Sequence, residues 1–230
     1  MTAIEPRTPI EHRHPAVTAR IGGVAALTLA ATFVVGIAMF ATLLGDYTAP
    51  DTTPAASVAF VVDHQGVLFV WYLVTLVVFG IALVPLALAL HQRLKTRAPG
   101  LASIATAFGL IWSGLILATG MISNIALSTV TDLAGTNKVQ AESVWSALDA
   151  VTNGLGGGNE IAGGMWVLLV SLAALRTSAL PRALDLVGIL SATAGLVTIV
   201  PGLSDVGMVF GLGLIVWFAW LGSVLLRSHD

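Results

Sequence analysis

The residues best suited to chemistry in this chain are a few acids and a histidine beside long apolar runs. Glu160 precedes the run Ile161–Leu175, and Asp63 and His64 precede the run Val67–Leu90. A carboxylate among apolar helices can balance a cationic ligand or carry a proton, and a carboxylate beside an imidazole can act as an acid–base pair. These residues predict either a ligand site centred on Glu160 or an intramembrane enzyme that uses His64 with Asp63 or Glu160.

The elements that must position these groups are membrane helices. Only 10 basic and 12 acidic residues occur in 230, whereas about a quarter of a soluble chain is charged. No basic or aromatic cluster suggests nucleic acid as a partner. The chain has no cysteine, which excludes thiolate metal sites and cysteine nucleophiles.

Apolar runs predict an all-α transmembrane bundle of six helices. The helices form one domain, residues 21–227, between polar tails at 1–20 and 228–230. Four runs exceed the roughly 20 residues that cross a bilayer, and two shorter runs flank the basic turn Arg176–Arg182. In chain order the runs are Ile21–Leu44, Val67–Leu90, Leu101–Leu127, Ile161–Leu175, Leu186–Val200 and Val206–Leu226.

The basic residues predict the orientation of the bundle. In the six-helix topology, nine of the ten Lys and Arg residues fall on one side, while eight of the twelve acids fall on the other. The side rich in Lys and Arg is cytoplasmic by the positive-inside rule. Both termini are therefore expected in the cytoplasm, and the acidic loops are expected outside it.

The position of Glu160 leaves two interpretations open. It lies 16 residues before Arg176, which is about 24 Å along a straight helix, inside the outer leaflet. At that depth the side chain would face a wet cavity in the bundle. Alternatively, Asn159 caps the fourth helix and Glu160 is an ordinary first-turn acid favoured by the helix dipole.

The spacing of Asp63 and His64 argues against a metal site. Adjacent helical residues point about 100° apart, so this pair is poorly placed to share an ion. No His-x-x-x-His pair occurs, and no cofactor is predicted. We expect Asp63 and His64 near the outer headgroups, above an aromatic belt that contains Trp71 and Tyr72.

Further pocket candidates lie on the third and fourth predicted helices. Asn124 shares a helix face with Ser113, and Glu160 shares one with Ser171, so the two polar stripes could pack together or line a ligand site. Trp112, Trp166 and Trp217 are predicted to lie deeper in the membrane than the aromatic belt at its interface. They either face a cavity roofed by Glu160, Asn124 and His64 or simply pack in the core.

The outer segment 128–158, between helices three and four, carries an amphipathic stretch. Its apolar residues recur at helical spacing, and the stretch would lie on the outer leaflet or cap the bundle. The apolar residues are Val139, Val144, Trp145, Leu148 and Val151. This segment and the small-residue helix faces also allow a third function, an accessory or scaffold subunit that binds a membrane-protein partner or a second copy of the chain.

Several short patterns resemble a family of six-helix bacterial membrane proteins catalogued only as a domain of unknown function. They are Thr18-Ala-Arg-Ile-Gly-Gly, Gly163-Gly-Met-Trp-Val-Leu-Leu-Val-Ser and Leu180-Pro-Arg-Ala-Leu. The resemblance covers about Thr18 to Arg227 and implies a bacterial inner membrane, but it implies no catalytic residues. Our leading hypothesis is a protein that binds or transports a small amphipathic or cationic ligand through an outward-facing pocket.

Overall fold

A computed structural model describes residues 14–45, 53–157, 160–200 and 202–227. The described residues form helices and turns and contain no strand. The nine α-helices, in chain order, are α1 His14–Leu43, α2 Pro54–Asp63, α3 Gln65–Tyr72, α4 Phe79–Leu94, α5 Pro99–Thr136, α6 Lys138–Thr152, α7 Ile161–Thr177, α8 Arg182–Val197 and α9 Gly207–Arg227.

Within the described residues, five helical segments are long and apolar enough to cross a membrane, which makes the chain a multi-pass membrane protein. Helix α3 continues into α4 through a π-helical segment, Leu73–Val78, so that the two cross as one unit. The stretch from α6 to α7 is likewise a single candidate for crossing the membrane. The five are Val17–Leu43, Gln65–Leu94, Pro99–Thr136, Lys138–Thr177 and Gly207–Arg227.

The region before the second predicted helix is more helical than expected. Thr53 caps α2 by accepting a hydrogen bond from the Ala56 N–H at 3.2 Å, and proline occupies the first turn of this helix. His64 then interrupts the helix between α2 and α3, because its backbone angles, φ −116° and ψ 18°, differ from those of an α-helix. The treatment of Asp63 and His64 as adjacent positions at the start of one helix is therefore wrong: Asp63 ends α2, and α3 begins at Gln65.

The core has two parts. The larger part lies among the long helices and contains a column of aromatic rings, including Trp112, Trp166 and Trp217. The smaller part joins α2, α3, α5 and α6 around Leu68, Leu127 and Trp145.

The amphipathic segment forms α6, which packs against α2 and α5. Its buried residues are Ala141 and Trp145, with Val144 partly buried, whereas Val139 and Val151 are exposed. The amphipathic stretch is therefore helical, and it packs against other helices of the bundle.

Two basic turns meet at one end of the structure. The Arg93 Nε–H donates to the Ala179 carbonyl at 3.1 Å, and an Arg97 guanidinium N–H donates to the Thr177 carbonyl at 3.0 Å. These bonds satisfy carbonyls at the end of α7, where no helical N–H is available. The α4–α5 and α7–α8 turns therefore lie side by side, as expected for two loops on the same side of a membrane.

Candidate functional site

Glu160 lies at the edge of a cavity of about 490 Å³. Residues of α1, of the segment from α3 to α4, of α5 and of α9 line this cavity, and Gly156 and Glu160 border it between α6 and α7. Glu160 is the one charged residue among those that line it, and most of the others are apolar. The lining residues are Thr32, Phe33, Gly36, Ile37, Phe40, Ala41, Trp71, Thr75, Leu76, Phe79, Trp112, Ile116, Gly156, Glu160, Met208 and Leu212.

The backbone of Glu160 is well anchored. Its N–H donates to Thr198 Oγ1 at 3.1 Å, and its carbonyl accepts from the Gly164 N–H at 2.8 Å. Thr198 follows α8, so this contact ties the start of α7 to the end of α8. The residue is thus held in place by its main chain.

The side chain of Glu160 is half-buried and receives no hydrogen bond from any residue that the structure describes. No described cation lies within ion-pair distance of it. A carboxylate at an apolar cavity is costly unless it meets a donor or a cation. The geometry therefore leaves this group available to a ligand or to water.

One wall of the cavity is built by a local departure from the α-helix. Thr75 and Leu76, from the π-helical segment, line the cavity, and the Thr75 hydroxyl donates to the Trp71 carbonyl at 2.6 Å. The Trp71 indole N–H donates to the Gly36 carbonyl of α1 at 3.0 Å. Single π-helical turns are frequent at functional sites because they re-aim side chains without ending the helix.

The cavity opens along the seam between α1 and α9. Its exposed lining residues include Ile37 on α1, with 47% of its surface accessible, and Met208 and Leu212 on α9, with 72% and 53% accessible. In a bundle surrounded by lipid, this seam faces the acyl chains.

The three deep tryptophans do not share one role. Trp112 is 4% exposed and lines the cavity, whereas Trp166 and Trp217 are fully buried and lie outside its lining. The ring centroids of Trp112 and Trp166 are 5.8 Å apart, and those of Trp166 and Trp217 are 5.7 Å apart. Trp166 thus packs against Trp112 inside the core. Although Trp166 was predicted to contact a ligand, it is not among the residues that line this cavity.

Asp63 and His64 belong to a different part of the molecule. His64 stacks on Phe60 with ring centroids 4.0 Å apart, and its Nδ1 lies 3.0 Å from the Phe60 carbonyl. Asp63 is exposed. Neither lines the cavity, and no hydrogen bond among the described residues joins either one to Glu160.

The candidate Asn124 is not among the residues that line the cavity. Asn124 is half-buried on α5, and its side-chain oxygen is enclosed without a hydrogen-bond partner. Asn159 lies outside the described residues. Within the described part of the chain, no group of three or more His, Asp or Glu residues is placed to hold a metal ion.

The two predicted polar stripes, on α5 and on α7, do not pair at Ser113, because α5 packs against α4 as well as against α7. The Ser113 hydroxyl donates to the Gly80 carbonyl of α4 at 2.7 Å and so does not pair with the Glu160–Ser171 stripe. The close approach between α5 and α7 is instead made at Gly163, where a methyl group would lie 2.6 Å from the Trp112 ring. Small residues allow such close packing between membrane helices.

Comparison with known proteins places the chain without assigning an activity. The family model described as a domain of unknown function, DUF4386, matches residues 17–227. No curated protein and no solved structure matches the chain. The resemblance noted from the sequence is confirmed over nearly the whole chain.

Proposed function

The chain belongs to the DUF4386 family, and we propose that this member binds a small amphipathic cation in the cavity beside Glu160. The observation that carries the proposal is the Glu160 carboxyl group, which no described residue bonds to and which lies at the edge of an otherwise largely apolar cavity. Pockets for small ligands combine an apolar wall with a few polar groups that set orientation. Here the carboxylate would meet the charged head of the ligand, and the aromatic rings would contact its apolar body.

Aromatic side chains strengthen the case for a cation. Trp71, Trp112 and Phe79 line the cavity, and the negative face of an aromatic ring attracts a desolvated cation. Trp112 and Phe79 are held edge-on, with centroids 5.1 Å apart and an interplanar angle of 71°. A rigid aromatic wall loses little entropy when a ligand binds.

We further propose that the ligand enters from the lipid through the seam between α1 and α9. The exposed lining residues on these helices are apolar. An amphipathic molecule partitions into a leaflet, where its local concentration exceeds that in water. The seam would then serve either for binding alone or as one step of transport.

The proposed setting is a bacterial inner membrane crossed six times by residues 21–227, with both termini in the cytoplasm. Helix α8 would supply the sixth crossing. Its 16 residues span about 24 Å. After them, the backbone N–H groups of Thr198, Ile199 and Val200 donate to carbonyls three residues earlier, so that helical turns continue to Val200. The joined basic turns support a common cytoplasmic side.

The proposal is tested with tetraphenylphosphonium, a lipophilic cation, titrated into the purified chain in lipid nanodiscs. Trp71 and Trp112 line the cavity, so tryptophan fluorescence reports on binding. The Glu160→Gln variant should bind at least about tenfold more weakly, equivalent to about 1.4 kcal/mol. Glu142→Gln, a matched change on α6 outside the lining, should bind like the wild type. Equal binding by all three proteins would refute the proposal.

A further inference from the structure

A second group of polar side chains is buried where α7, α8 and α9 meet. Ser171 of α7, Asp185 of α8 and Trp217 of α9 are each 0% exposed. Helix α8 packs against both α7 and α9. Asp185 directly precedes the predicted run Leu186–Val200, and it was not among the site residues predicted from the sequence.

None of the three side chains has its polar atoms satisfied. Both carboxyl oxygens of Asp185, the Ser171 hydroxyl oxygen and the Trp217 indole nitrogen are enclosed, and no described residue bonds to them. Buried polar atoms in proteins nearly always have a partner, either protein or ordered water. Three orphaned groups at one helix junction therefore indicate something that the protein atoms alone do not supply.

Gly188 shows that two of these groups converge. A methyl group placed on Gly188 would lie 2.6 Å from the Trp217 indole nitrogen and would also collide with the Ser171 hydroxyl. The two polar atoms therefore lie against the same point, close enough for one water molecule to bridge them. Asp185 is one turn earlier on α8, on the same helix face.

The basic residues nearby are turned to other partners. Arg93 donates to the Ala179 carbonyl and Arg97 to the Thr177 carbonyl, while Arg176, Arg182 and Arg227 are exposed at the ends of their helices. Among the described residues, no cation lies within ion-pair distance of Asp185. An ionised carboxylate enclosed without a donor or a cation costs several kcal/mol or more.

We propose that this junction is a second, internal site that binds a proton on Asp185 and a water molecule between Ser171 and Trp217. The proton converts the carboxylate to a carboxylic acid, which removes the buried charge and provides one O–H donor. It would enter from the end of the bundle that carries the basic turns, since Asp185 lies one turn inside α8. No residue of the Glu160 cavity takes part.

The position of the site gives the bundle an acid near each end. The Glu160 N–H bonds to Thr198 just after α8, whereas Asp185 lies near the start of that helix. Thr198 lies 13 positions after Asp185, which corresponds to about 20 Å along a helix. A protonatable acid on one side and a cation site on the other is an arrangement that would allow exchange of a cation for a proton.

Infrared spectroscopy of the full chain in nanodiscs at about pH 5.5, where exposed aspartates are ionised, tests the proposal directly. A protonated aspartic acid has a carbonyl stretching band that is separate from the bands of ionised carboxylates. Wild-type protein should show such a band, and ¹³C-labelling of its aspartates should shift it, which distinguishes it from a band of Glu160. The band should be lost in Asp185→Asn and retained in Asp132→Asn, a control on the outer part of α5.

The water is tested by a second variant. Ser171→Ala removes one of its two partners, so an O–H stretching band of an internal water that the wild-type protein shows should be lost, while the Asp185 band persists. The proposal is overturned if the labelled wild-type protein shows no protonated aspartate, or if Asp185→Asn removes carboxylate bands instead. Because labelling is done on the wild-type chain, this result does not depend on whether the variants fold. It is also independent of cation binding at Glu160.

Discussion

At the scale of single residues, the cavity depends on close contacts between glycines and tryptophans. Gly163 of α7 faces the Trp112 ring, and Gly109 of α5 faces the Trp166 indole, where a methyl group would lie 2.7 Å from the nitrogen. Each glycine creates the space that its tryptophan fills. Trp112 is thereby held with one edge in the core and another in the cavity.

Gly163→Ala tests this packing. The added methyl group would lie 2.6 Å from the Trp112 ring, so that the ring or α7 must move. We expect a loss of about 1–3 kcal/mol of stability, seen as a lower melting temperature in detergent, together with weaker binding of tetraphenylphosphonium.

Gly114→Ala is the matched control for that substitution. Gly114 lies on α5 with no atom within 4 Å of an added methyl group. In an open helical position, alanine is favoured over glycine by up to about 1 kcal/mol. An equal melting temperature for Gly163→Ala and Gly114→Ala would contradict the packing account.

The sequence does not show what each face of a helix packs against, and this limited what could be predicted about individual residues. Glu160 was singled out because it is an acid next to a long apolar run, and the structure places it at the edge of the cavity. Trp112 and Trp166 were indistinguishable in the sequence, since the neighbours that bury one and leave the other at a cavity come from distant segments. Asp185 was missed because it lies at the end of an apolar run, where most charged residues of this chain were expected to orient the helices and not to be buried.

At the scale of elements, α5 has a cavity face and a lipid face. Ile116 is 7% exposed and lines the cavity, whereas Ile111 on the same helix is 53% exposed. The same substitution at the two positions therefore separates an effect on the cavity from a general effect on the helix.

Ile116→Phe should fill part of the cavity and weaken tetraphenylphosphonium binding by about tenfold, because a ring would occupy volume that the ligand needs. Ile111→Phe should leave binding unchanged. Calorimetric titration of both variants measures this difference. Unchanged binding by Ile116→Phe would show that the ligand lies elsewhere.

The long helices were predicted more fully than the elements between them. The run Leu101–Leu127 became the longer α5, and Val206–Leu226 differs from α9 by one residue at each end, because long charge-free runs require helices in a bilayer. Helix α2 and the π-helical segment were not predicted. Their geometry depends on packing against α1, α5 and α6, and no apolar period encodes it.

At the scale of the whole molecule, the six-crossing topology makes a prediction that the chain is well suited to test. It contains no cysteine, so a single introduced cysteine is the only thiol. Thr96 and Ser178 lie in the joined basic turns, Ser143 lies on α6, and Asp205 follows α8; all four are exposed.

A membrane-impermeant maleimide added to intact cells should label Ser143→Cys and Asp205→Cys. Thr96→Cys and Ser178→Cys should react only in inverted vesicles, because the proposed topology places their turns in the cytoplasm. Labelling of Ser178→Cys and Asp205→Cys from the same side would show that α8 does not cross the membrane.

The central claim is that the Glu160 carboxylate selects a cation, and a pair of probes with the same shape and opposite charge isolates that effect. Tetraphenylphosphonium and tetraphenylborate fill a cavity almost equally, so the ratio of their affinities reports on charge. We predict that the wild-type protein prefers the cation and that Glu160→Gln reduces this preference by at least about tenfold. An unchanged ratio in Glu160→Gln would contradict the account, because the cavity would then bind its ligand without using the one charged residue that the described part of the chain places in its lining.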